Sequence, residues 1–132
     1  MRPDILRAVG AATALYGVVV AVRPDLLARP SGLVDADGRT APATAISLRP
    51  LAWRDAASGV AMMTAPVGVP LVTAALLRIA ADLGDAVLLG GTLPGRGTRA
   101  KAVAVSVGWG ALSVVGLLAQ ERSEERAKGG KE

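Results

Sequence analysis

Apolar residues in this chain are gathered into four long runs, and the polar residues that would give each run a wet face are largely missing. The first run extends from Ile5 to Val22 with Arg7 as its only charge. The second begins at Pro50 and reaches about Ala65, the third goes from Pro70 to about Gly90, and the fourth spans Ala100 to Ala119 with only Lys101 near its start. A helix crosses a bilayer with roughly 17–25 apolar residues. The runs therefore predict an all-α fold: a four-transmembrane-helix up-down bundle with a long first loop, occupying residues 1–120 as one domain, followed by a charged, flexible tail over 121–132. The competing soluble fold is a very apolar helical bundle, which should show polar residues at helical period; the first and fourth runs show none. In the fourth run Ala104, Gly108 and Gly116 offer small side chains past which another helix can approach closely.

Proline marks the expected boundaries. Pro50 and Pro70 sit where a first-turn proline is tolerated, and Pro66 to Pro70 reads as a tight connection that makes the second and third runs an antiparallel pair. Arg23 to Pro30 reads as one amphipathic turn at the membrane interface, followed by a polar loop from Ser31 to Ser47 in which Asp37-Gly38 is a turn signal; Thr92 to Thr98 is a second loop on the same side. Asp4 and the lack of a small-x-small site before Arg23 favour a retained first span over a cleaved signal peptide. The expected location is the inner (plasma) membrane, multi-pass, with membrane lipid as the surrounding partner and a homo-oligomer left open. Lys and Arg flank both ends of the runs, so the charge rule does not fix orientation; the long charged tail favours cytoplasmic termini.

Composition narrows the chemistry. With 132 residues and no Cys or His, the chain cannot form disulfides, use a thiol nucleophile or a His-containing triad, or hold zinc or haem through those ligands. A net charge of +4 would suit nucleic acid, but the basic residues are dispersed and the aromatics are only two Trp and one Tyr, so neither a basic stripe nor a stacking platform exists. There is no phosphate loop or dinucleotide fingerprint. Asp82-x-x-Asp85 is too few acids for a metal-diphosphate site and has Arg78 beside it, so neither a metal nor a cofactor is expected.

Five ionisable residues interrupt the middle pair: Arg54 and Asp55 in the second run, and Arg78, Asp82 and Asp85 in the third, the last three at i, i+4, i+7 on one helical face. Folding the pair about Gly68 puts Arg54 level with Asp82, Asp85 level with Leu51, and Arg78 deeper, near Ala57 and Ser58. Each central Arg or Asp costs about 2.5–3.5 kcal/mol to insert, so five unpaired would cost more than ~10 kcal/mol. They must be paired, hydrated or partly neutral. Three Asp against two Arg leave one carboxylate in excess, and crowding with desolvation favours one neutral acid. Asp55, Asp82 and Asp85 are thus candidate acids. Arg54 and Arg78, with Trp109, Trp53 and Tyr16, are candidate substrate-binding residues, Trp109 and Tyr16 as walls of an apolar cavity and Trp53 nearer the interface beside Pro50.

At Arg54-Asp-Ala-Ala-Ser-Gly59, with Arg23-Pro24 after the first run and Arg78-x-x-x-Asp82-x-x-Asp85 in the third, the chain resembles a group of small four-helix bacterial membrane proteins classified only as domains of unknown function. The resemblance covers about residues 5 to 120. It implies a four-helix membrane bundle with its polar residues turned inward, and it transfers no activity.

Three functions fit the residues. One is a membrane isomerase or cyclase in which Asp82 or Asp55 donates a proton to an alkene, epoxide or carbonyl of a lipophilic small molecule. Another is a non-catalytic accessory or oligomeric protein whose charges fix helix packing, with Arg54 snorkelling and Arg78 and Asp82 as a structural pair. A proton or ion path is weakened because no acid continues the line to the Pro66–Pro70 end.

Overall fold

The computed structural model describes residues 1–119. Among them the chain is all-α: α1 (Pro3–Val22), a short α2 (Asp25–Ala28), α3 (Pro42–Thr64), α4 (Val69–Thr92) and α5 (Arg96–Leu118), with no strand. The tail expected over 121–132 lies outside the described residues.

The four long helices form a ring in which each packs on its neighbours in the chain, α1 on α3, α3 on α4, α4 on α5, and α5 closes back on α1. Every neighbouring pair runs antiparallel. Along α1 and α3, Gly10 lies against Gly59 and Met62 while Gly17 lies against Ala56 and Ala52. Along α4 and α5, Gly90 meets Val103 and Asp82 meets Gly110. The backbone N–H of Arg2 donates to the Gly116 carbonyl at 2.8 Å, so the start of α1 and the end of α5 lie together.

The closest approach is not the expected one. The sequence pointed to the hairpin of the second and third runs and to small residues of the fourth, yet α1 and α3 come closest. A Cβ at Gly10 would stand 2.7 Å from the Gly59 carbonyl oxygen and 2.8 Å from the Met62 Cβ, a distance at which only glycine fits. Gly116 is used in the anticipated way, against Leu6, but Gly108 faces open space.

Two boundaries also differ. α3 begins at Pro42 rather than at Pro50, which lies inside the helix. Pro42 is at the first turn, where its missing N–H is harmless, and the helix accepts Pro50 at the loss of one internal bond to the Ile46 carbonyl. The first polar loop therefore ends at Ala41, not Ser47, and Ser47 bonds back to the Ala43 carbonyl at 2.9 Å. The Asp37-Gly38 turn does form, with Gly38 at φ +73° and the Asp35 carboxylate accepting the Arg39 N–H at 2.8 Å. The second loop shrinks to Leu93–Gly95 because α5 starts at Arg96. At the other end Gly68, at φ +114°, makes the turn into α4.

α1 and α5 are long and apolar enough to cross a membrane. α3 and α4 are as long, 23 and 24 residues, but each carries three charges, Arg49, Arg54 and Asp55 on one and Arg78, Asp82 and Asp85 on the other. The interior is layered at a seven-residue spacing, which returns to the same helical face after two turns. Leu6, Thr13 and Val20 form such a line on α1, Met62, Asp55 and Leu48 on α3, and Leu71, Arg78 and Asp85 on α4. One apolar cluster, built on Leu6, Val9, Met62, Leu71, Ala74 and Ala75, fills the end near the α3–α4 turn, and a second joins Val20, Ala21 and Ala52 at the other end. The middle position of each line is polar.

Candidate functional site

The polar layer is a single network of five charged groups joining α3 to α4. On α4, one turn separates Arg78 from Asp82, so the guanidinium reaches forward along its own helix: Nε donates to Asp82 Oδ2 at 3.1 Å, and Nη2 bonds Asp82 Oδ1. Nη1 of Arg78 crosses to α3, donating to Asp55 Oδ1 at 2.8 Å and to Ser58 Oγ at 3.4 Å. From α3, Arg54 returns the bridge: its Nη1 and Nη2 hold both oxygens of Asp85, at 3.1 and 2.6 Å, in the forked geometry that suits a carboxylate. Arg54 also donates from Nη2 to Asp55 Oδ1 at 3.0 Å.

The sequence register is met in part. Arg78 does lie at the level of Ser58. Arg54, expected beside Asp82, pairs instead with Asp85, one turn further along α4, because Asp82 is already held by Arg78. Exposure is graded: the side chains are 40% exposed at Arg54, 16% at Asp55 and 15% at Asp85, but 3% at Arg78 and 2% at Asp82. The network opens at Arg54 and closes at Asp82, and the Leu6–Met62–Leu71 cluster lies beyond it toward the α3–α4 turn.

Of the three aromatics, Tyr16 on α1 lies within electrostatic reach of Asp55. Trp53 is 58% exposed and Tyr16 is 40% exposed, so both reach the outer surface. Trp109 is partly buried against the apolar cluster below the network. Among the described residues no group of three or more carboxylates gathers in a way that would hold a metal ion.

Sequence reasoning passed over Thr13. It is 1% exposed, and its hydroxyl has no hydrogen-bond partner. Helical hydroxyls ordinarily satisfy themselves on their own backbone; Ser47, Thr64, Thr92 and Ser113 all do so four residues back. The packing of Gly10 on Gly59 and of Gly17 on Ala56 places Thr13 level with Ala56–Gly59, hence in the layer of Asp55, Ser58 and Arg78. The signal was present in the sequence as the polar member of the line Leu6, Thr13, Val20. Ser113 and Ser106 are also buried, on α5, and the Ser113 hydroxyl donates to the Trp109 carbonyl.

No family model matches the chain, and no curated protein or solved structure matches it either.

Proposed function

We propose that this chain is a four-span integral membrane protein whose Asp/Arg layer is a site for a lipophilic small molecule and supplies acid–base chemistry of the isomerase or cyclase class. The membrane part is supported by the surface: charged and polar side chains are buried in the middle of the bundle while large apolar side chains cover its outside. Arg78, Asp82, Thr13 and Ser113 are inside, while Leu15, Val22, Trp53, Leu77, Val87, Val105 and Leu118 are exposed on all four long helices. The inside of the protein covers 39% of the α1 span and 22% of the α5 span, far less than a soluble core helix needs. Five of the six charges on α3 and α4 pair with one another inside the bundle, and the sixth, Arg49, is exposed. At ~1.5 Å per residue, helices of 20, 23, 24 and 23 residues each match a hydrocarbon core of about 30 Å.

Within the layer, a difference in bonding among the three acids supports giving the proton-transfer role to Asp55. Asp82 and Asp85 each have both oxygens held by a guanidinium. Asp55 receives Arg54 and Arg78 on Oδ1 alone, which leaves Oδ2 as the oxygen through which a proton would pass to and from a bound substrate. Transfer from Oδ2 to an alkene, epoxide or carbonyl oxygen leaves a carboxylate still anchored by both guanidiniums and a cationic substrate centre beside it. Return of a proton from the rearranged skeleton to Oδ2 closes the cycle without any other reagent.

Identification of compounds that copurify with the protein tests this reading. A bound terpenoid, polyketide or quinone that the wild type converts and Asp55→Asn only binds would support it. Bulk lipid alone, in both proteins, would contradict it. A second reading, a non-catalytic membrane component, is favoured by the forked Arg54–Asp85 bridge, which ties two helices together; it predicts that exchanging the identities of Arg78 and Asp82 restores folding lost in either single variant.

A further inference from the structure

We infer that the middle layer recognises the head of a lipophilic cation, a protonated primary amine on an apolar chain, and turns away anionic amphiphiles. This rests on the reading of the layer as a ligand site and names what that site selects.

Three observations converge. Two guanidiniums stand against three carboxylates, so the layer is complementary to one additional positive charge. Asp55 Oδ2 accepts from no side chain among the described residues, since each guanidinium contact to Asp55 ends on Oδ1. Thr13 Oγ1 is buried without a partner in the same layer, on the neighbouring helix α1. Asp55 shares its helical face with Met62, which is fully buried in the core, and Thr13 shares its face with Leu6 and Val20, so both lines point into the bundle. An unpaired buried hydroxyl and a half-used carboxylate are each costly. A primary ammonium offers three N–H donors and one positive charge, enough for Asp55 Oδ2 and Thr13 Oγ1 together. A carboxylate or phosphate offers these oxygens no donor and meets an uncompensated negative charge. In the proposed reaction, proton donation creates the same positive charge in place, so an ammonium and the catalytic proton are alternative occupants.

The chain has two Trp, so Trp53→Phe leaves Trp109, packed on the apolar cluster below the layer, as the only tryptophan reporter. In phosphatidylcholine nanodiscs, whose headgroup has no N–H, dodecylamine, dodecanol and dodecanoate are titrated, with affinities referred to the concentration in the bilayer. Dodecylamine is expected to bind saturably and at least about tenfold more tightly than dodecanoate. Asp55→Asn should bring the two within about twofold of each other. Thr13→Val, which removes an unpaired hydroxyl and so keeps the fold, should weaken the amine by about fivefold or more. Saturable binding of all three without a preference for the amine, or a preference unchanged in both variants, would overturn the inference while leaving the ligand site standing. Saturable binding of none would overturn the site reading with it. Repeating the titration in phosphatidylethanolamine identifies the source of the amine: loss of dodecylamine binding there assigns it to the lipid headgroup, and unchanged binding assigns it to a free amine.

Discussion

Removing Arg78 should be far more damaging than removing Asp82, although the two bond each other. In Arg78→Met, Asp82 is left at 2% side-chain exposure with no guanidinium, because Arg54 is already committed to Asp85 and Asp55. One cation then faces three carboxylates. Stranding one partner of a buried ion pair costs about 3–5 kcal/mol. In Asp82→Leu, by contrast, Arg78 keeps Asp55 at 2.8 Å, and the layer becomes balanced at two cations and two anions. That loss should be about 1–3 kcal/mol, near the value of a lost charge-assisted hydrogen bond. The double variant replaces the pair by apolar side chains of similar length and leaves Arg54 with Asp55 and Asp85, so its cost should fall below the sum of the singles by about 2 kcal/mol or more. Unfolding free energies measured by steric trapping in bicelles would check each value. Arg78→Met no more destabilising than Asp82→Leu, or a double variant equal to the sum, would refute the description of the layer as a linked network.

The same assay reaches the packing. Gly10→Val forces a Cβ against the Gly59 carbonyl and should cost at least about 1–3 kcal/mol, whereas Gly108→Ala, which meets open space, should be neutral or stabilise by about 0.5–1 kcal/mol. Thr13→Val should raise unliganded stability by about 1 kcal/mol, since the valine brings no unpaired donor into the layer. Arg54→Gln should cost less than Arg78→Met, because Arg54 is 40% exposed and Asp55 retains Arg78; a thermal melt in detergent ranks the two.

How much of this was legible beforehand depended on how local the determining chemistry is. The apolar runs that become α1, α4 and α5 were visible because burial and lipid exposure both demand the same residues. The first half of α3 was hidden. Pro50 read as a helix start, and only the tertiary setting makes an interior proline tolerable there. The levels of Arg78 and Ser58 followed from folding the chain about Gly68, but the pairing of Arg54 with Asp85 did not, because it depends on Asp82 being claimed first by Arg78. The packing of α1 on α3 was invisible for a different reason: Gly10, Gly17 and Gly59 lie on two distant segments, and only contact reveals that they face each other. Thr13 was available to pattern reasoning, as the one polar residue on the line from Leu6 to Val20, but a lone threonine in an apolar run carries little weight until its missing partner is known.

The proposed four spans can be tested directly, because the sequence contains no cysteine. Single cysteines at Arg39 in the loop before α3, at Pro94 between α4 and α5, and at Val67 in the α3–α4 turn would be labelled with an impermeant maleimide in sealed, right-side-out and inverted vesicles. Four spans predict that Arg39→Cys and Pro94→Cys react from one side and Val67→Cys only from the other. Labelling of all three from the same side, or release of the protein from the membrane by alkaline carbonate, would contradict four spans.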